Sequence, residues 1–247
     1  MCGIAGYIGK KNISNERVEK TLSLMNSRGP NCQKFIKDTF EQNQVILIHS
    51  RLSIIDIDTR SDQPYSKDNL IIIFNGEIYN FIEIKKKLSD MGHSFQTNSD
   101  TEVIIEAYKK YNERCVDIFE GMWAFVIYDK INNKFFFSRD RFGEKPFYIL
   151  EYKDSIYFGS EIKFIFALFG KSTGINLEKI KESLVCGFRS NFKKRNSFFI
   201  GVKELNPATN MTITDEFRKI KKNIGQSNIY LDPNLKRLFT KKSKSYC

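Results

Sequence analysis

A chain of 247 residues with 41% hydrophobic residues and 22 Phe has room for one large core, or for a domain with an extension. It has no apolar run approaching the ~18–20 residues of a membrane helix and no basic-then-apolar leader, so the reading is a cytoplasmic protein that does not span a membrane. The net charge of +11 is unevenly placed: residues 1–180 hold 25 Lys and Arg against 24 Asp and Glu, whereas residues 181–247 hold 15 against 5.

In chain order, Gly3–Gly9 reads as a short strand. Residues 15–27 read as a helix with Val18, Leu22 and Met25 on one face and Ser14 as its cap. Val45–His49 and Leu70–Phe74 are apolar runs of strand length, rich in β-branched residues. Asn80 caps a predicted helix through Leu88, and Ser99-Asp100-Thr101-Glu102 is a capping box ahead of a helix bearing Val103, Ala107 and Tyr111. Met122–Tyr128 and Lys134–Ser138 form a hairpin about Asn132-Asn133; Phe147–Tyr152 and Ile156–Gly159 form another about Lys153-Asp154. Ile162–Phe169 and Leu177–Val185 read as helices, and Phe198–Pro207 with Met211–Ile213 as a final hairpin. The elements describe a layered α+β domain over residues 2–214, followed by a basic, poorly ordered tail over 215–247. The tail has no aromatic platform or zinc spacing, which makes a partner-facing or solvated role a better reading than nucleic acid.

Five cysteines without metal-ligand spacing suit a reducing compartment, and two histidines leave little scope for a His-based triad or metal site. Cys2 is the exception. Once Met1 is removed, one residue carries both a thiol and an α-amine that titrates near ~7.7–8.0, a nucleophile beside its own proton acceptor. Downstream lie Arg28-Gly29-Pro30, His49–Asp56, Phe74-Asn75-Gly76-Glu77-Ile78-Tyr79-Asn80, Ser99–Glu102, Phe119–Phe125, Ser138–Pro146 and Phe158–Lys163. In this order the motifs resemble the glutaminase domain of class II glutamine amidotransferases, above all that of glutamine-hydrolysing asparagine synthetase. The likeness covers residues 2–170 and, more loosely, 171–215.

The resemblance implies an N-terminal nucleophile hydrolase fold, a four-layer αββα sandwich of two antiparallel sheets between helices. It implies hydrolysis of L-glutamine to glutamate and ammonia through a γ-glutamyl thioester on Cys2, with no metal and no cofactor for that reaction. Arg51 has the planar fork that suits an α-carboxylate, and Glu77 and Asp100 have the charge that suits an α-ammonium. The family uses the matching positions in those ways. Backbone near Ile54 and Ile55 is expected to line the pocket. Asn75, through its side-chain amide, and Gly76, through its backbone N–H, suit an oxyanion hole; Asn-Gly is otherwise a tight-turn dipeptide. Arg28-Gly29-Pro30 is expected to shape a loop over the pocket. Arg139, Asp140 and Arg141 are expected to pair with Glu161 or to face an acceptor domain.

Two departures stand out. The family continues Arg-Gly-Pro with Asp, where this chain has Asn31. The Ser-Gly-Gly-x-Asp-Ser phosphate loop of the asparagine synthetase half is absent, so ATP and Mg are expected only with a separate or missing synthetase domain or subunit. The favoured reading is a glutaminase that supplies ammonia for amide synthesis, with asparagine made from aspartate as the first candidate and a homodimer as one arrangement. The alternatives are an N-terminal-cysteine amidase for another amide, and a non-catalytic or truncated glutaminase-like regulatory or interaction module.

Overall fold

The computed structural model describes residues 2–187, 196–214 and 219–224. Seventeen named elements follow one another: β1 (Gly3–Gly9), α1 (Asn15–Met25), β2 (Cys32–Phe40), β3 (Asn43–Arg51), β4 (Tyr65–Lys67), β5 (Leu70–Ile78), α2 (Phe81–Asp90), α3 (Asp100–Tyr111), β6 (Gly121–Asp129), β7 (Lys134–Arg139), β8 (Tyr148–Tyr152), β9 (Ser155–Gly159), α4 (Ile162–Phe169), α5 (Leu177–Cys186), β10 (Val202–Glu204), β11 (Thr209–Thr214) and β12 (Lys219–Asn223). They build two six-stranded sheets, ordered β10-β8-β9-β1-β3-β2 and β12-β11-β7-β6-β5-β4. Every pairing within the two sheets is antiparallel.

Residue alternation explains the layering, because successive side chains on a strand point to opposite faces. Ile4 and Ile8 of β1, Val45 and Leu47 of β3, and Ile71 and Ile73 of β5 meet in the core between the sheets. Their neighbours Ala5, Tyr7, Ile46 and Ile48 face outward beneath α1 and α4. On the far side, Ile72, Phe74, Trp123, Phe125 and Ile127 pack under α2 and α3. Strands buried on both faces read as continuous apolar runs, which is why Leu70–Phe74 carries no polar alternation.

Several expectations are corrected. The final hairpin does not form: β10 pairs with β8 in the first sheet, while β11 pairs with β7 in the second. The chain between them crosses the sandwich, held where the Leu205 N–H donates to the Phe147 carbonyl (2.8 Å) and the Ala208 N–H to the Asp140 carbonyl (2.7 Å). The expected tail also starts too early, since Lys219–Asn223 extends the second sheet beside β11. The rest of that segment, 215–218 and 225–247, lies outside the described residues. The capping box is half made. The Ser99 hydroxyl accepts from the Thr101 N–H (3.1 Å), but Glu102 turns back to the Gln96 and Thr97 N–H groups and to Lys67. Asn80 occupies the cap position of α2 yet spends its amide on the Ile118 carbonyl and the Glu120 N–H. Strand β2, which the sequence reading passed over, is a half-exposed edge with mixed polarity. Among the described residues no helix is long and apolar enough to cross a membrane.

His49 joins the two sheets. It is fully buried on β3, and its Nε2–H donates to the Phe74 carbonyl on β5 (3.0 Å). Burial holds its pKa down to about 4, against the hydrogen bond to Phe74 that works the other way. The folded state therefore refuses a proton that the unfolded chain accepts below ~6.5, and stability should fall as pH drops from about 6.5 to 4, by an amount on the order of 3 kcal/mol. His49→Gln keeps an N–H donor without titrating, so the wild-type minus variant stability difference, measured by urea unfolding across that range, should carry this slope.

Candidate active site

The strand alternation that builds the core also aims the site. Cys2 continues the Ile4–Ile8 row of β1, Arg51 continues the Val45–Leu47–His49 row of β3, and Asn75 and Glu77 continue the Ile71–Ile73 row of β5. All four thus point toward the layer between the sheets, at the end where the strands run out. There they line one cavity together with Gly76, Leu52, Ile54, Ile55, Ser61, Gln63, Phe74, Ser99, Asp100, Thr101 and Lys145. All seven residues singled out from the sequence (Cys2, Arg51, Ile55, Asn75, Gly76, Glu77 and Asp100) fall on its wall.

Cys2 is held from two sides. The Arg28 Nε–H donates to its carbonyl (2.8 Å), and the Leu52 N–H points at its sulfur (3.3 Å). Arg28 in turn pairs with Glu161 (3.1 Å). Burial pushes the Cys2 thiol up from its ordinary value, while the Leu52 N–H and the charge of Arg51 work the other way. Burial thus favours the neutral thiol, and attack by this sulfur would need a base.

On β5 the hydrogen-bonding register decides which backbone groups are available. Lys130 N–H to the Asn69 carbonyl and Tyr79 N–H to the Glu120 carbonyl frame the pairing with β6, so odd-numbered residues spend their backbone groups on that neighbour. Even-numbered N–H groups face the other edge, which β4 covers only as far as Ile72. Beyond it the Phe74 N–H is taken by Gln63 Oε1 (2.6 Å) and the Ile78 N–H by Asp100 Oδ2 (3.1 Å). Between them, the Gly76 N–H meets no such acceptor among the described residues. The amide nitrogen of Asn75 is likewise buried without a hydrogen-bond partner. Asn75-Gly76 is thus mid-strand rather than a turn. A Cβ on Gly76 would lie 2.2 Å from the Met122 carbonyl oxygen, so glycine is what lets β5 and β6 close there.

Asp100 is 5% exposed at the first turn of α3. Burial raises its pKa to about 6, with Glu77 pushing the same way and the Ile78 and Thr101 N–H groups opposing. Among the described residues neither Asp100 nor Glu77 forms an ion pair, so the cavity presents acid to a cation.

Arg51 differs from its expected picture. Its Nη1 donates to Asp62 (2.7 Å) and to the Asp58 carbonyl (3.0 Å), and its Nη2 to the carbonyls of Ile55 (3.3 Å) and Asp56. Four of five N–H groups thus hold loop 55–62, and Ile55 presents a carbonyl already taken. The charge is not cancelled, because Asp62 is shared with Lys34 (2.8 Å). Asn31, which stands where the family carries Asp, holds the following loop through its side-chain oxygen, which accepts from the Ser53 N–H (3.0 Å). Arg139 and Arg141 do not reach Glu161. Arg139 is buried against Glu204 (2.7 Å) and the Gly143, Lys145 and Leu205 carbonyls, and Arg141 caps the Phe119 carbonyl (2.7 Å) over Trp123.

Gln63, Asp62 and Lys145 were not picked out as site residues. Lys145 is 4% exposed, its N–H held by Asp140 (3.0 Å) and its carbonyl by Arg139 (2.7 Å). A cation between glycine and proline in the Ser138–Pro146 motif was the available signal.

Residues 1–223 match the family of glutamine amidotransferase domains. The chain belongs to the class II glutamine amidotransferases. It is 33% identical over 223 residues to asparagine synthetase [glutamine-hydrolyzing] 3 of Bacillus subtilis (strain 168), covering 87% of this chain and 35% of that protein. To asparagine synthetase [glutamine-hydrolyzing] of Zea mays it is 38% identical over 169 residues, 66% of this chain and 28% of that one. The chain therefore spans about a third of the length of these curated relatives. Among solved structures, glutamine phosphoribosylpyrophosphate amidotransferase from B. subtilis, complexed with ADP and GMP, superposes with a TM-score of 0.66 at 18% identity, covering 91% of this chain and 50% of that one. The fold is the N-terminal nucleophile hydrolase sandwich of this family.

Arg51→Lys keeps the charge of this amidotransferase domain but replaces the fork with a single ammonium. Loss of at least two loop bonds should cost about 2–4 kcal/mol in urea unfolding and expose Arg60 to trypsin.

Proposed function

We propose that the chain is a glutaminase that hydrolyses L-glutamine to glutamate and ammonia. The observation that carries this reading is the Asn75 amide nitrogen, buried and unpartnered on the cavity it shares with the Cys2 thiol. A donor kept dry and unsatisfied in a ground state costs free energy, and it is repaid where negative charge develops.

The substrate lies with its α-ammonium against Asp100 and Glu77 and its α-carboxylate toward Arg51, whose surplus charge survives the sharing of Asp62. Removal of Met1 frees the Cys2 α-amine. That amine takes the thiol proton, and sulfur attacks the carboxamide carbon. The oxyanion is met by Asn75 Nδ2–H and the Gly76 N–H. Collapse breaks the C–N bond, the α-ammonium of Cys2 returns its proton to the leaving nitrogen, and ammonia departs from a γ-glutamyl thioester. Water, losing a proton to the same amine, attacks the thioester; glutamate leaves and the thiol is restored.

The ammonia is destined for an amide-forming synthetase unit on the same or another polypeptide, with asparagine the favoured product. Two-thirds of the relatives' length has no counterpart in this chain, and such a unit would belong there.

Mass spectrometry of the N-terminus combined with a glutamate-release assay tests the reading. Met1-free protein should turn over L-glutamine, and Cys2→Ala should abolish it; full activity with Met1 retained would sink the mechanism. Asn75→Ala should lower kcat on the order of 10²–10³-fold with a smaller change in KM. Because only ionised Asp100 pairs an ammonium, and its pKa is about 6 in the empty site, kcat/KM should fall toward tenfold per pH unit below that value. Asp100→Asn should remove that inflection.

A further inference from the structure

Asp56 joins the two ends of the cavity, beside a second tie in which the Gln63 Nε2–H donates to the Thr101 hydroxyl (3.2 Å). Its backbone carbonyl accepts from Arg51 Nη2. Its carboxylate accepts from the Ser61 hydroxyl (2.9 Å) and from the Asn98 N–H (2.7 Å), two residues before Asp100. The side chain is 6% exposed, with Arg60 Nε 3.7 Å away. The backbone sits at φ +47°, in the left-handed region, which Asp adopts more readily than most non-glycine residues. One residue thus touches the arginine side through its main chain and the Asp100 side through its side chain. Burial works against the carboxylate, yet the Asn98 N–H and Ser61 hydroxyl pull its pKa below the ordinary range, so it stays a charged acceptor at neutral pH.

We infer that Asp56 is a positioning residue that sets the span between the carboxylate pole at Arg51 and the ammonium pole at Asp100, and thereby the preference for an α-amino acid head group. The inference deepens the glutaminase reading and rests on it. An α-amino acid presents its two charges on a single carbon at a fixed separation. Two loops that must meet both charges need a tie between them, and Asn98 lies on the segment that leads directly into α3. Without that tie, Gln63 would still reach Thr101 (3.2 Å) and Asp100 would still accept from the Ile78 N–H (3.1 Å), but the segment leading into α3 would lose its direct contact with the residue that Arg51 holds. A shift near 1 Å is enough to matter at such a site.

The test compares L-glutamine with glutaramate, the same molecule without the α-ammonium. Wild-type turnover of L-glutamine tests the underlying reading first. The inference is then read in a Cys2→Ala background by calorimetry, which needs no catalysis. Asp56→Asn should weaken L-glutamine about tenfold and leave glutaramate within about twofold, narrowing the preference between them. In the active enzyme the same variant should raise KM with kcat nearly unchanged. Ser61→Ala, which removes one of the two bonds and is a milder change to the fold, should move the preference the same way by about threefold. An unchanged preference in a folded Asp56→Asn or Ser61→Ala protein, or equal weakening of both ligands, would overturn the inference.

Discussion

The arrangement depends on one constraint: the first strand of the chain is a central strand. β1 pairs with β3 on one side and β9 on the other, and all seven of its residues are buried. An N-terminal segment ordinarily frays, but this one can leave the sheet only by breaking two ladders at once. The thiol of Cys2 therefore stands at the end of one of the best-anchored strands, its carbonyl gripped by Arg28 and its sulfur faced by Leu52. Rigid scaffolding of this kind places a reacting atom without asking a loop to do it.

The opposite wall relies on a strand that outruns its neighbour. β5 extends past the three-residue β4, and the exposed stretch of its edge is met by Gln63 at Phe74 and Asp100 at Ile78, with no acceptor among the described residues for the Gly76 N–H between them. Asp100 thereby serves the fold and the cavity together. Its bond to the Ile78 N–H seals the strand, and its burial beside Glu77 leaves it eager for a positive partner. The two sheets present complementary halves, a thiol from one and an edge of N–H donors from the other, and His49 spans between them at Phe74.

Much of this was legible in the residues. Gly3–Gly9 and Ile162–Phe169 run as read, because an unbroken apolar stretch and a helix closed by Gly170 in the left-handed region leave little choice. Both tight hairpins turn where Asn133 and Lys153 take positive φ. The cavity residues were also legible, since their spacing was carried by motifs. The illegible parts depend on distant partners. That β10 and β11 belong to different sheets is decided by Phe147 and Asp140, more than 50 residues earlier in the chain. Arg51 reads as a ligand-gripping fork, but the acceptors that occupy it are mostly backbone carbonyls, which have no letter in a sequence. Asp56 is inconspicuous for the same reason, because half of its contribution comes from its own carbonyl.

The outermost strand of the second sheet bears on the charge imbalance of the chain. β12 lies at the end of the order β12-β11-β7-β6-β5-β4, with its far side facing no other strand of the sheet. Its Lys221 and Lys222 are exposed, and Lys222 is drawn in toward Glu113 (3.2 Å). Among the described residues no strand covers that edge, and lysines along it make it costly for a second molecule to continue the ladder, since like charges would meet where the backbones needed to pair. Some of the positive charge that first suggests an anionic partner thus acts within the architecture, as a barrier against copies of the chain joining edge to edge.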